Sequence, residues 1–566
     1  MAPQPIGSNA QKQRLTTALT FAEIILQVEL SSVNLYRTQM MQKFVLDDRT
    51  YPTENLIDPK LAQFQGPALL SFNNAVFKDK DFMSLSQLGD SLKLNDGATT
   101  GRFGRGFNSV YNWTDSPSII SRERLLILDP HQDWSDGGPV YGFVEDSQEP
   151  EIKNQMGAYQ SVMVHLDHPL DGTVIRILLR NASQTLKSDI STLSTTPTEI
   201  QEVLRSFSAE FGTYGLLFMR NVTKLAIDSA EMSLTIEMIA DGDIQTHKAT
   251  IIDAAGIRYT HDGISTTTSF MIQHCILNTL GISLRPWSQE QQYIPWVAIA
   301  AQLPSSQMNS TQCSLFTVLP LPVRTTQPVH IHALFSLTPD RANLHRMHDQ
   351  SAQNQDPAKW NEWLLREGAS VAWVKLLSAL AQLYPLQSAF DQWPRAVDNN
   401  RDPLSGAVDQ IVAIIQQDHL ALWPTEIGYV SAETGLLALG SESPGLKEAL
   451  RDANVPVTYV PRQLWDHAKK LFGSRLLSSA NVCAYLNSKP AVVRGLRDRV
   501  KIALLEFLVS APAVIDYGRL ELFPFEDGEF RSLDGVNAFV HRDSAEKDLF
   551  SRQPELNLAL GPWPTP

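Results

Sequence analysis

Cysteine is scarce in this chain: three occur among 566 residues, Cys275, Cys313 and Cys483, far apart and in no metal-like spacing. That excludes a disulfide framework and a cysteine-built zinc module, and it fits a reducing compartment. Long apolar runs are missing too. Met1 to Arg14 carries proline and polar residues, and the apolar piece Leu19 to Leu30 is interrupted by Glu23, Gln27 and Glu29. Neither a secretory signal nor a membrane span is expected, so the expected location is cytoplasmic, with no membrane partner. Basic charge is in deficit, with 47 Lys and Arg against 61 Asp and Glu and a net charge of −14. A general nucleic-acid surface needs clustered cations to neutralise phosphates, so no nucleic-acid partner is expected. Internal repeats and low-complexity runs are also lacking.

What remains is an ordinary globular composition, 43% hydrophobic and 19% charged, in a chain long enough for about two to four domains. One stretch stands out, Gly101-Arg-Phe-Gly-Arg-Gly-Phe-Asn-Ser-Val-Tyr111. Glycines at 101, 104 and 106 let the backbone take positive φ and approach a ligand closely. Phe107 to Tyr111 then reads as the start of a packed helix, which aims unpaired N–H groups at the same place, where a phosphate fits. Arg102 and Arg105 add positive charge beside it. The spacing GxxGxG is not the dinucleotide fingerprint, and taken alone it is equally a glycine turn entering a helix.

In chain order, residues 16 to 43 read as helix from apolar residues at three- and four-residue steps, and Lys43 to Asp48 as a short strand. Gly66 to Phe77 carries a buried strand ending in the paired asparagines Asn73 and Asn74, which are also good turn residues. Asp79 to Leu94 reads as helix, Arg124 to Leu128 as strand, and Asp171 to Arg180 as a half-buried strand with Thr173 at its entrance. Residues 181 to 200, rich in Ser and Thr, are a linker candidate. Helix (Glu199 to Phe211) and short strands at Gly215 to Met219, Lys224 to Ile227, Leu234 to Met238, Cys313 to Pro322 and Val329 to Phe335 follow, an α+β texture. From about residue 355 helical patterns dominate, at Asp356 to Leu383, Val408 to Asp418 and Ala491 to Leu508.

A strand ending in a polar pair, a helix, GxxGxGF, a strand and then a Gly-Thr strand resembles the order of the Bergerat-type ATP-binding fold of the ninety-kilodalton heat-shock chaperones, gyrase and histidine kinases. Gln65-Gly-Pro-Ala-Leu-Leu-Ser-Phe-Asn-Asn-Ala-Val-Phe77, the glycine stretch and Leu128-Asp-Pro-His131 more specifically resemble the sacsin repeat family. The likeness continues through Phe316 to Pro322, Pro328 to His332, Leu337 to Arg341 and Asp356 to Glu362, and reaches Leu520 to Gly528. It implies an α+β protein: an α/β sandwich of the Bergerat ATP-binding type over residues 1–190, an α+β middle domain over 191–350 and a mainly helical region over 351–566. It also implies a chaperone-type module that binds ATP and couples nucleotide state to contacts with client or co-chaperone proteins. By the resemblance, Gly101, Arg102, Phe103, Gly104, Arg105, Gly106 and Phe107 match the phosphate-cradling loop. Asn73, with Asn74, occupies the place of an aspartate that receives the adenine amino group, and a carboxamide oxygen accepts that bond as well. Thr173 matches a threonine near the adenine, Lys93 a lysine at the end of the lid-side helix, and Arg341 a middle-domain arginine directed at the γ-phosphate.

The departure lies upstream. The family's first helix carries Glu-x-x-x-Asn-x-x-Asp, in which the glutamate positions the attacking water and the asparagine holds magnesium. Counted back without gaps, Glu29 falls on the glutamate, Val33 on the asparagine and Tyr36 on the aspartate. Valine cannot bind magnesium, and Asn34, one residue on, is turned about 100° away on a helix. Either the segment before residue 40 is not the ancestral one, or this copy has lost hydrolysis. The expectation is therefore ATP as ligand, magnesium dependence in doubt and at most a weak ATPase with Glu29 as its carboxylate. The rival reading is a non-catalytic scaffold with a degenerate nucleotide pocket. His330 and His332 alternate on one strand near His345 and His348, but no cysteine or carboxylate partner stands at useful spacing, so no metal site is assigned.

Overall fold

The computed structural model describes most of residues 40–534, together with residues 554 and 558. Positions outside the description within that span are 80, 83–106, 136–137, 163–165, 213, 220, 241–244, 248–249, 278–292, 304–312, 339–342, 347–354, 384–389, 396–401, 511–516 and 518. The chain divides into two compact units, Met1–Thr325 with Val329–Ala372, and Thr326–Pro328 with Trp373–Pro566.

The first unit is built on a 15-stranded sheet. Its strands are β1 (Met40–Asp47), β2 (Ala68–Asn73), β3 (Ser118–Arg122), β4 (Arg124–Ile127), β5 (Val140–Gly142), β6 (Leu170–Leu178), β7 (Val222–Ser229) and β8 (Met232–Ala240). The rest are β9 (Gln245–His247), β10 (Thr250–His261), β11 (Ile264–Ile276), β12 (Trp296–Gln302), β13 (Cys313–Thr317), β14 (Leu319–Thr325) and β15 (Val329–Ala333). The strand order runs β14-β13-β15-β12-β11-β10-β8-β7-β1-β2-β6-β3-β4-β5, with β9 beside β10. Neighbours are antiparallel except at β1–β7 and β13–β15. β1 joins the two halves: it pairs antiparallel with β2 on one side and parallel with β7 on the other.

Alternation along these strands sorts side chains onto two faces. Phe44, Leu46, Leu69, Ile119, Ile175 and Ile177 enter one core, together with Val110 and Trp113 from the segment after the glycine stretch. Val45, Ala68, Leu70, Ile120, Leu125 and Val174 enter the other, beneath α1 (Pro150–Met156) and the chain from Leu56 to Leu61. α2 (Pro197–Phe211) starts at a capping box in which Thr196 and Glu199 exchange side-chain and backbone bonds, and it places Ile200, Leu204 and Phe207 in the first core.

The second unit combines helices with three two-stranded sheets. A parallel pair, Leu436–Ala438 with Val457–Tyr459, is bridged by α3 (Pro444–Asp452), and a core of Leu450, Val482, Leu486, Leu504 and Leu508 gathers α4 (Ser479–Asn487) and α5 (Asp498–Val509) around it. Mixed α+β structure with a large sheet thus agrees with the class read from the sequence. Among the described residues no helix is long and apolar enough to cross a membrane.

Local readings moved in several places: of the helix expected over 16–43, residues 40–43 are strand and 16–39 lie outside the described residues, and the strand expected over Cys313 to Pro322 is the pair β13 and β14. The strand expected from Lys43 begins at Met40, because Met41 and Gln42 already pair with Lys224 and Leu225. Gly215 to Met219, expected as a strand, is a turn whose apolar side chains, Leu216, Leu217, Phe218 and Met219, are all buried in the core. The helix expected over Ala491 to Leu508 is two, Pro490–Arg494 and α5, separated at Gly495. Phe107–Asn112 is helical, as expected, but as a 3-10 turn.

Candidate functional site

Four adjacent strands bring four polar residues into one row. Gln42 of β1 stands opposite Asn73 of β2, Asn73 opposite Thr173 of β6, and Thr173 opposite Ser121 of β3. All four are buried. The row lies on the same face as Phe44, Ile175 and Ile119, two residues away along β1, β6 and β3, and as Leu69, four residues back along β2, so it is the polar end of the first core.

Hydrogen bonds knit the row. Thr173 Oγ1 donates to the Ala75 carbonyl at 2.7 Å and lies 3.0 Å from Ser121 Oγ. Ser121 Oγ donates to the Gly172 carbonyl and accepts from the Phe77 N–H, each at 2.9 Å. Asn73 Oδ1 accepts from the Ala75 N–H at 3.0 Å, an Asx turn that reverses the chain as it leaves β2. Asn74 is exposed, and its Oδ1 accepts from the Met41 N–H at 2.9 Å. Gln42 Nε2 donates to Ser71 Oγ at 2.6 Å. Gly172 has φ +153°, and a Cβ there would fall 2.4 Å from the Asn73 carbonyl oxygen and 2.7 Å from the Phe72 ring. Only glycine lets β6 approach β2 this closely, which gives the Gly-Thr pair its physical reason.

Phe107–Asn112 packs against this core, with the Phe107 and Tyr111 rings edge to face at 6.3 Å. Burial pushes the Tyr111 phenol up to about 12. Behind the turn sits the fully buried guanidinium of Arg180. It donates to the carbonyls of Tyr111 (2.9 Å), Asn112 (3.1 Å) and Leu193 (3.2 Å) and pairs with Asp115 Oδ1 at 2.6 Å. Asp115 Oδ1 also accepts from Ser188 Oγ at 2.7 Å. Arg180 therefore ties the segment after the glycine stretch to residues 188–195.

Of the residues singled out in the sequence, Asn73 and Thr173 are neighbours in this row, Asn74 follows it with its side chain bonded to Met41, and Phe107 packs on the same core. Glu29, Lys93, Gly101, Arg102, Phe103, Gly104, Arg105, Gly106 and Arg341 lie outside the described residues. Sequence reasoning missed Gln42, Ser71 and Ser121, although the change from apolar Phe44 and Leu46 to Gln42 at period two was a readable sign. It also missed the Arg180–Asp115 pair.

His330 and His332 are buried strand residues whose Nδ1 atoms accept backbone N–H groups, from Ser314 at 3.2 Å and Val318 at 3.1 Å. Burial, reinforced by the charge of Arg324, depresses His330 to about 3, so it is neutral. Among the described residues no group of three metal-ligating side chains forms.

Residues 38–235 match the Sacsin domain family. The chain is also similar to human sacsin, at 25% identity over 565 aligned residues covering 86% of this chain and 12% of that protein. It thus spans about an eighth of the length of the curated relative it matches, and it is sacsin-like in sequence along most of its own.

Proposed function

We propose that this sacsin-like chain is a chaperone-type module that binds ATP on the first-core face of the sheet and couples nucleotide state to protein contacts. The observation that carries the reading is the buried row of Gln42, Asn73, Thr173 and Ser121 across four neighbouring strands. A core needs no such concentration of amides and hydroxyls at the ends of its strands, whereas recognition of a heterocycle with donors and acceptors along one edge does. The residues that the Bergerat resemblance nominates for the base, Asn73 and Thr173, are direct neighbours in this row, and Phe107, nominated from the phosphate loop, packs on the same core. On this reading residues 1–190 are the nucleotide-binding domain and 191–350 the middle domain. Residues 351–566 take part in the contacts that nucleotide regulates.

ATP would be oriented by Asn73 and Thr173 and its phosphates by the backbone of Gly101 to Gly106. Arg341 would approach the γ-phosphate. Magnesium is the doubtful partner, since Val33 stands where the family pattern places its ligand. A specific observation favours the second reading, a non-catalytic interaction protein with a degenerate pocket: Asn73 Oδ1 and the Thr173 hydroxyl already bond the backbone of Ala75. Calorimetric titration of the full chain with ATP, with and without magnesium, separates the two. Binding lost in Gly104→Asp supports the first reading. No binding by the folded wild type leaves the scaffold.

A further inference from the structure

Gln42 is fully buried, yet its carboxamide is half used. Nε2 donates to Ser71 Oγ at 2.6 Å, and Oε1 has neither a hydrogen-bond partner nor solvent. Stripping an amide oxygen of water without giving it a donor costs stability, and buried acceptors of this kind call for an explanation, one of which is a donor that a ligand brings. Gln42 stands directly opposite Asn73.

We propose that Gln42 selects the base, its Oε1 accepting one hydrogen of a 6-amino purine while Asn73 Oδ1 accepts the other. This inference rests on the nucleotide reading given above. Residues directly opposed on antiparallel strands hold their Cβ atoms roughly 4.5–5.5 Å apart and on one face. Two carboxamides so placed are neighbours on one face, each with acceptor capacity left, and an exocyclic amino group carries two hydrogens. Asn73 Oδ1 keeps a lone pair for this beyond the one given to the Ala75 N–H. A 6-oxo purine such as guanine turns an acceptor toward both oxygens, leaving Gln42 Oε1 without a donor and Asn73 Oδ1 with the Ala75 N–H alone. That is the strong form of discrimination, because the site's own buried groups are then unpaired.

The test is calorimetry with the full chain, comparing ATP and GTP for wild type and Gln42→Met, alongside the thermal midpoint of each unliganded protein. Wild type should prefer ATP by about tenfold or more. Gln42→Met should bind ATP roughly five- to thirtyfold more weakly and leave GTP unchanged, its thermal midpoint serving to show that the variant is folded. An unchanged ATP-to-GTP ratio in the folded variant overturns the role of Gln42 while leaving the nucleotide site standing. Absence of binding of either nucleotide by wild type overturns the site and the role together. Wild type alone supplies a second arm that does not depend on the variant folding. Purine riboside triphosphate, which lacks the 6-amino group, should bind at least about tenfold more weakly than ATP, and equal affinity overturns the proposal.

Discussion

Gly172→Ala is the smallest change that should damage both the sheet and the site. The added methyl would sit 2.4 Å from the Asn73 carbonyl oxygen, 2.7 Å from one atom of the Phe72 ring and 3.1 Å from another. The first neighbour is backbone held by β2–β6 pairing and cannot rotate aside. Overpacking of this kind costs about 1–3 kcal/mol, and placing an L side chain at φ +153° costs about 1–3 kcal/mol more. The sum, about 2–6 kcal/mol, is a large part of the stability of an ordinary domain. Native-state hydrogen exchange reads it directly. Amides of β2 and β6 should lose protection by that amount, while those of α5 in the second unit keep wild-type rates. Gly142→Ala is the control, since nothing lies within 4 Å of its Cβ, and it should change protection by less than about 0.5 kcal/mol. Wild-type protection of β2 and β6 in Gly172→Ala would refute the argument that glycine is required for the close approach.

Two further outcomes follow from the buried charges. Arg180→Met should destabilise the first unit by about 3–5 kcal/mol in denaturant titration, because it strands the Asp115 carboxylate and three backbone carbonyls; a loss below about 1 kcal/mol would show that the pair is not structural. His330 is neutral when folded and is depressed to about 3, whereas an unfolded histidine protonates near 6.5. The unfolded state therefore binds more protons between these values, and His330 withdraws stability as pH falls from 6.5 toward 3, by up to about 1.4 kcal/mol per pH unit. Replacement by asparagine, which keeps an acceptor for the Ser314 N–H, should flatten that slope, and an unchanged slope would remove His330 as its source.

The ends of the site were legible because they depend on residue type. Paired asparagines close β2 and a Gly-Thr pair opens β6, and both signals came from backbone requirements that few residues meet. The class was legible as well, since helical spacing in α2 and α5 matched what formed, whereas β6, read as half-buried, is buried on both faces from Gly172 to Leu178 because a core packs on each side of it. Gln42 was hidden for a different reason: its importance comes from pairing with Asn73 across strands 31 residues apart, and only the register reveals it. Gly215 to Met219 reads as a strand in composition, but burial on all sides serves a turn equally well. The long hairpin of β10 and β11 escaped notice because its exposed Ser265, Thr266 and Thr267 lack an apolar alternation.

The central claim is that a nucleotide base sits against the row of Gln42, Asn73, Thr173 and Ser121. Photolabelling of the full chain with an azido-adenine triphosphate, followed by peptide mapping by mass spectrometry, tests it most directly. The account predicts label on peptides covering residues 40–47, 68–77 or 170–178, suppressed by excess ATP. Label that ATP does not suppress, or that falls only within residues 402–510, would contradict it.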